Sequence, residues 1–356
     1  MIYLDATSSY PPFECARNAM NEAFMTLGNH QSQHSYGRHM QVEIDSLRRL
    51  IAQKHNVDSS QVSFTYGGSD GIYRTLTAII PHLHNAQILL SPLLYPSFYE
   101  ILNSLQPFTN HTIHMLEVDK NGQYILNNLK SQYDFIIVET LCSELGIVQN
   151  NLQTLMNTVL GCYIIDDCAG LMERVLAPLD IPKHIPYRCI YTGEKMGVAG
   201  IGYMITSRNT VFMPLTKHPG TLNFATLMAF KTTYEHLLNT LDSYQQHIIK
   251  LSTILIDAVQ KRINWSTIIN NEYRSCSIIT LSHNMHDSIL LQHMLEQKGI
   301  LVGTGYACET GIHRISRALT AINYNTHRAS NVIRVSLHHH LTEADIVKVI
   351  NIMSNI

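Results

Sequence analysis

Apolar residues recur along this chain with two periods, and the switching between them outlines an architecture. After a break at Pro11-Pro12, residues Phe13 to Met25 have helical spacing. The clearest helix covers Met40 to His55, with Ile44, Leu47, Leu50 and Ile51 on one side and charges between them. Val62 to Thr65 reads as a short strand ending at Gly67-Gly68-Ser69-Asp70, and from Gly71 the residues Ile72, Leu76 and Ile79 resume helical spacing. Strands are then expected at Gln87 to Leu90, His111 to Leu116, Phe135 to Val138 and Cys162 to Ile165, with helices near Phe98 to Leu105 and Leu152 to Val159. Apolar strands alternating with amphipathic helices predict a mainly parallel sheet covered on both faces.

Beyond residue 220 the pattern changes. Ala225 to Ile263 is a long helical stretch with few breakers, a candidate spine to a second unit. Strands follow at Ser277 to Leu281, Ile300 to Val302 and Ile333 to Leu337, with a helix over Ser288 to Lys298. A closing helix begins near Thr342, with Glu343 in its first turn. The expectation is α/β: a large domain over 15–230, and a small α/β domain over 231–356 packed with the N-terminal segment 1–14.

Composition narrows the class. A chain of 356 residues, 45% of them hydrophobic, can bury a sizeable core. Its 25 Lys+Arg against 27 Asp+Glu leave no basic excess for a polyanion, so nucleic acid is disfavoured as a partner. No basic-then-apolar leader opens the sequence, and no run of about 18 apolar residues suggests a membrane span. Seven cysteines, an odd number without CxxC pairing, suit free thiols in a reducing cytoplasm. The run His338-His339-His340 alternates faces after a strand and has no partner Cys or Asp spacing, so a polar turn is favoured over a metal site.

One stretch carries chemistry. Cys189 to Ile205 reads as strand, tight turn and strand, with Lys195 in the turn among Gly193, Gly197, Gly200 and Gly202. Glycines there let backbone or a planar ligand approach the amine, and such a lysine can form a Schiff base with a carbonyl compound. A solvated lysine in a surface turn would have the same local sequence.

The ordering of further motifs favours the first reading. Met1 to Asp5, the run GNHQSQHSYGR from Gly28, VSFTYGGSD from Val62, ETLCSELGIVQ from Glu139 and IIDDCAG from Ile164 resemble cysteine desulfurases. So do YTGEKMGVAGIGY from Tyr191, PGTLN from Pro219, VGTGYACETG from Val302 and IRVSLHHHLTEADI from Ile333. Those are class V aminotransferase-type enzymes that use pyridoxal 5'-phosphate (PLP), and the series is similar to them over nearly the whole chain.

The resemblance implies a type I PLP-dependent transferase fold, and it implies roles. Lys195 would hold the cofactor and shuttle protons at the substrate Cα. Asp166 would pair with the pyridine nitrogen and keep it protonated, with a helix N-cap as its alternative. Gly68 and Ser69 would bind the phosphate at a helix N-terminus, joined by Thr192. Thr221 would complete the phosphate cup from the partner subunit of a homodimer. Arg334 would clamp the substrate carboxylate, unless it serves a structural ion pair. Cys308, unless it is a buried structural cysteine, would attack the sulfur of cysteine, leaving alanine and a persulfide for a sulfur-acceptor protein.

Five positions depart from the family's pattern. Tyr95 stands where a histidine stacks on the ring, Ser143 replaces an asparagine and Ala169 a glutamine. Glu194 replaces a histidine before the lysine, and His218 an arginine. These departures suggest a specialised member. A C–S lyase or aminotransferase acting on another amino acid, and a catalytically reduced scaffold subunit, are the rival expectations.

Overall fold

A computed structural model describes residues 1–129, 133–159, 163–167, 185–208, 220–261, 264–269, 271–305 and 316–356. Its strands in chain order are β1 (Ile2–Leu4), β2 (Val62–Thr65), β3 (Gln87–Leu90), β4 (Thr112–Met115), β5 (Phe135–Glu139), β6 (Leu141–Cys142) and β7 (Ile147–Val148). They continue as β8 (Tyr163–Asp167), β9 (Tyr187–Thr192), β10 (Gly202–Thr206), β11 (Trp265–Thr267), β12 (Ile278–His283), β13 (Ile300–Val302) and β14 (Val332–Ser336). The helices are α1 (Glu14–Phe24), α2 (Ser35–Lys54), α3 (Gly68–Ile79), α4 (Pro96–Thr109) and α5 (Leu152–Thr158). After them come α6 (Phe224–Gln260), α7 (Ser288–Gln297), α8 (Arg317–Ala321), α9 (Thr326–Ala329) and α10 (Glu343–Met353).

Seven strands form the main sheet in the order β2-β10-β9-β8-β5-β3-β4. The sheet is parallel except for β10, which runs antiparallel to both β2 and β9. Period-two alternation divides its side chains between two cores. Ile88, Leu90, Ile137, Ile165, Ile190 and Met204 pack with Ile72 and Leu76 of α3 and Phe98 and Leu102 of α4. Leu89, Ile136, Val138, Tyr191 and Tyr203 pack on the other face with Ile44, Leu47 and Ile51 of α2. Both faces are covered, which is why the parallel strands read as unbroken apolar runs.

The long helix α6 contributes to two cores. Its residues Leu227, Phe230, Tyr234 and Leu237 join the main-sheet core. Ile248, Leu251, Leu255 and Val259 join a separate core with Trp265, Leu281, Val335 and Ile346. That second core lies on the antiparallel sheet β11-β12-β14. β1 pairs in parallel with β13, and isolated bridges join Asp5 to Ser336 and Gly303 to Arg334. The first five residues are thereby woven into the C-terminal sheet.

The three histidines after β14 run into the expected polar turn, two of them packed against the N-terminal segment. His338 is buried and sits 3.0 Å from the Tyr3 carbonyl, while the His339 ring stacks on Phe13 with centroids 3.9 Å apart.

Candidate active site

In an open α/β sheet, ligands collect at the carboxyl ends of the parallel strands. At this edge, β2 leads into the Gly67 turn and α3, and β3 leads through Ser91 toward Tyr95. Here too β5 ends at Glu139, and β9 ends at Thr192 just before the lysine turn. Because β10 is antiparallel, its first residue Gly202 also lies here, paired with Thr65 on one side and Thr192 on the other.

The lysine turn is built as the sequence suggested. Tyr191 and Tyr203 pair across β9 and β10, with rings 4.5 Å apart and 10° from parallel, and His55 Nε2 lies 3.2 Å from the Tyr203 hydroxyl. This aromatic pair anchors the base of the hairpin. Above it a single helical turn, Glu194–Met196, carries Lys195 and ends at Gly197 with φ 78°. A side chain at Gly197 would meet Pro12 Cα at 2.7 Å and Pro11 O at 2.8 Å, so the turn packs directly on the N-terminal segment. Lys195 is half-buried, and its Nζ donates to the Thr7 carbonyl. Glu194 lies close enough to Tyr3 to help raise its phenol pKa, behind the larger effects of burial and Asp5.

A helix start with uncommitted amides adjoins this turn. α3 begins at Gly68 after Gly67, whose φ of 146° requires glycine and whose flank is open. Gly67 makes no side-chain cap, so the first-turn amides of α3 keep their donor capacity and the helix dipole points outward. Ser69 is exposed in that first turn. Gly202 completes the cradle: a Cβ there would sit 2.6 Å from Thr65 Oγ1 and 3.1 Å from Gly67 C. Thr192 is buried beside it, and its Oγ1 accepts from Glu194 N at 3.3 Å, which leaves the hydroxyl hydrogen to donate outward.

Arg334 lies at the centre of β14, with a side chain only 4% exposed. Its Nη2 donates to Asp5 Oδ1 at 3.0 Å and to Ser8 Oγ at 3.1 Å, and Nη1 reaches the Ser143 carbonyl at 3.4 Å. The buried Nε has no hydrogen-bond partner among the described residues. Thr7, whose carbonyl meets Lys195, is itself held by Ser336 Oγ at 3.0 Å from its backbone N–H. One short segment, Asp5 to Ser8, thus touches both Lys195 and Arg334. Sequence reasoning assigned it no role.

The remaining assignments divide. Tyr95 is half-buried just before Pro96 of α4, packed against the α3–α4 core. Ser143 joins the site through its carbonyl, in the β6–β7 hairpin. Asp166 occupies β8 in register with Val138 and Cys189, one residue from the strand's carboxyl end; its side chain lies outside the described residues. Cys308, Ala169 and His218 also lie outside them. Thr221 takes as partners Asn29, at 3.5 Å, and the Tyr66 hydroxyl, which donates to its carbonyl at 3.4 Å, rather than Thr192. It lines a cavity of about 200 Å³ with Phe24, His30 and Met40. A further group went unnoticed in the sequence: Glu139 is buried at the end of β5, and its Oε1 accepts from Ser91 Oγ and from the Tyr124 hydroxyl, each at 3.0 Å. Burial first, and then the Glu139 charge, raise the Tyr124 phenol pKa.

The chain is similar to known proteins in sequence and in fold. A family model described as Aminotransferase class-V matches residues 2–210 and 202–349. An IscS-like cysteine desulfurase of Mycobacterium tuberculosis is 24% identical over 97% of this chain and 93% of its own length. Cysteine desulfurase IscS of Dictyoglomus turgidum is also 24% identical, over 100% of this chain and 94% of its own. Among solved structures, a NifS-like protein superposes with TM-score 0.87 at 17% identity, covering 99% of this chain and 98% of that one. A NifS-like protein from Rickettsia africae superposes with TM-score 0.84 at 20% identity, covering 100% and 99%.

Proposed function

Since this chain belongs to the class-V aminotransferase family, we propose that it is a PLP-dependent cysteine desulfurase. One observation carries the reading: a single segment, Asp5 to Ser8, contacts both Lys195 and Arg334, and the lysine turn adjoins a helix N-terminus whose amides no described side chain caps. The relatives named desulfurases over their full length set the substrate class, L-cysteine.

The residues present suit the cofactor. The open flank of Gly67, the uncapped start of α3 at Gly68 and Ser69, and the Thr192 hydroxyl would hold the phosphate. Lys195 would hold the cofactor, Asp166 would supply the carboxylate for its ring nitrogen, and Tyr95 and Ser143 would line the ring. When bound, PLP supplies an electron sink for charge developing at the substrate Cα.

The chain's own groups do the rest. Arg334 binds the substrate carboxylate with planar donors and so orients the Cα. The Cys308 thiolate attacks the substrate sulfur, an S–S bond forming as the Cβ–S bond breaks; the bonding pair stays with Cβ, which takes up a proton to become the methyl of alanine. Lys195 moves a proton at Cα, and the remainder leaves as alanine. The persulfide on Cys308 then passes to a sulfur-acceptor protein.

The active unit would be a homodimer. Phe24, which lines the cavity that holds Thr221, is 65% exposed, and its chain neighbours Met25 and Leu27 are 84% and 74% exposed, an apolar surface suited to a second copy. Thr221 would then serve the partner's phosphate cup. Two units meeting through α6, 15–230 and 231–356 with 1–14, are the domain organisation we favour. A cytoplasmic setting suits the free thiols; among the described residues no helix is long and apolar enough to cross a membrane.

The test is product analysis. Purified protein given L-cysteine and a reductant should release sulfide and alanine, and Cys308→Ala should lose both. Pyruvate as product, or turnover indifferent to Cys308→Ala, would replace this reading with a C–S lyase. A visible cofactor absorbance band that survives Lys195→Ala would remove the lysine from its role.

A further inference from the structure

The guanidinium of Arg334 is already engaged, and the manner of its engagement has a consequence for substrate binding. A guanidinium offers a carboxylate two forks, one formed by Nη1 and Nη2 and one by Nε and Nη2. Both forks pass through Nη2. The two hydrogens of Nη2 are committed, one to Asp5 Oδ1 at 3.0 Å and one to Ser8 Oγ at 3.1 Å. The donors with capacity left are Nε, buried and without a partner among the described residues, and Nη1, whose contact with the Ser143 carbonyl is a long 3.4 Å. They do not form a fork together. A substrate carboxylate therefore reaches both atoms of a fork only when a present partner of Nη2 lets go.

Crowding allows no third partner on the Gly303 side. Gly303 exchanges both backbone hydrogen bonds with Arg334, at 3.0 and 2.7 Å. A Cβ on Gly303 would stand 2.6 Å from Asp5 Oδ1 and 2.9 Å from Arg334 Nη2, so the backbone lies against the ion pair. Of the two partners, Ser8 is neutral and Asp5 carries the same charge as the incoming group. Two carboxylates on one nearly buried guanidinium repel each other, whereas a hydroxyl does not. With neither in place the guanidinium would be a buried charge without compensation, which is the reason for Asp5 to pair with it.

We propose that Asp5 is the resident counter-ion of Arg334, which the substrate's carboxylate exchanges with on binding, so that Asp5 sets the affinity for amino acids. This rests on the reading of Arg334 as the carboxylate clamp. Asp5 is a positioning residue that acts through Arg334. Asp5 also sits two residues before Thr7, whose carbonyl accepts from Lys195, so its release is felt along the segment that contacts the lysine.

The test uses 3-mercaptopropionate, which has the carboxylate and sulfur of cysteine and no amine, titrated calorimetrically into the cofactor-loaded enzyme. Its carboxylate-free counterpart, 3-mercaptopropanol, is the control. Asp5→Asn should bind the acid about tenfold or more tightly than wild type and the alcohol equally. Unchanged or weaker binding of the acid by Asp5→Asn overturns the proposal and makes Asp5 a support for Arg334. Thermal midpoints guard against a destabilised variant: the acid should raise the midpoint of Asp5→Asn by more than that of wild type, and a smaller rise also overturns the proposal. Arg334→Gln tests the premise separately. If it binds the acid as well as wild type, the clamp itself is misassigned, whatever Asp5→Asn does.

Discussion

Gly202→Ala isolates the cradle between the lysine turn and the start of α3. The added Cβ would lie 2.5 Å from the Tyr191 carbonyl oxygen, 2.6 Å from Thr65 Oγ1 and 3.1 Å from Gly67 C. Ordinary contacts lie at about 3.5–4.0 Å, so roughly 1 Å must be found. Thr65 can rotate, but the Tyr191 carbonyl belongs to a strand paired on both sides and cannot retreat alone. Overpacking of this kind costs about 1–3 kcal/mol. The strain falls on Gly67 and Thr192, the two ends of the proposed phosphate site. Urea unfolding should show the stability loss, and titration of PLP into cofactor-free protein should show affinity lower by about tenfold or more, each 1.4 kcal/mol being a factor of ten. Gly200→Ala is the comparator. No atom of the described residues lies within 4 Å of a Cβ there, but φ is 78°, so it should cost about 1–2 kcal/mol of backbone strain and leave PLP affinity unchanged. Gly202→Ala behaving as wild type in both assays, or Gly200→Ala losing the cofactor equally, would refute the reasoning.

Burial pushes the His338 pKa down to about 4 and that of His339 to about 3. An unfolded histidine titrates near about 6.5, so below that pH the unfolded chain takes up protons that the folded one refuses; stability should fall as pH drops from about 6.5 toward 4. His339→Phe, which keeps the stack on Phe13, should flatten that decline in urea midpoints compared at neutral and mildly acid pH. Thr342→Ala removes the capping box of α10, in which Thr342 Oγ1 accepts from Asp345 N at 3.2 Å and Asp345 Oδ2 from Thr342 N at 2.9 Å. It should cost about 1 kcal/mol in thermal or urea unfolding, with cofactor affinity untouched.

Periodicity located most elements because their burial is one-sided or complete. Val62–Thr65, Gln87–Leu90 and Ile300–Val302 have the expected bounds, and α6 begins and ends within a few residues of its expected span. Helix starts were set by chemistry that apolar spacing does not see. α2 begins at Ser35, capped by the His34 ring, although apolar spacing begins only at Met40. α3 begins at Gly68, three residues before the apolar pattern, because glycine at Gly67 supplies the turn. β6 and β7, of two residues each, are too short to display a period, and form because they pair with each other.

The site divides along the same physical line. Lys195, Gly68 and Thr192 are proposed for the site from local sequence, since each lies at or just after a strand end. Asp5 and Ser8 could not be proposed that way, because their partner Arg334 is 329 and 326 residues away. A signal was nonetheless present. Asp5 directly follows the strand Ile2–Leu4, whose Ile2 and Leu4 are buried, and Arg334 interrupts a second strand between the fully buried Ile333 and Val335. A charge within or beside an apolar strand is expensive unless it is paired, and opposite charges at two such places satisfy each other. Pairing the two charges from the sequence would have joined the chain's beginning to its last strand. It would also have raised the question of how a substrate carboxylate competes with a carboxylate already in place.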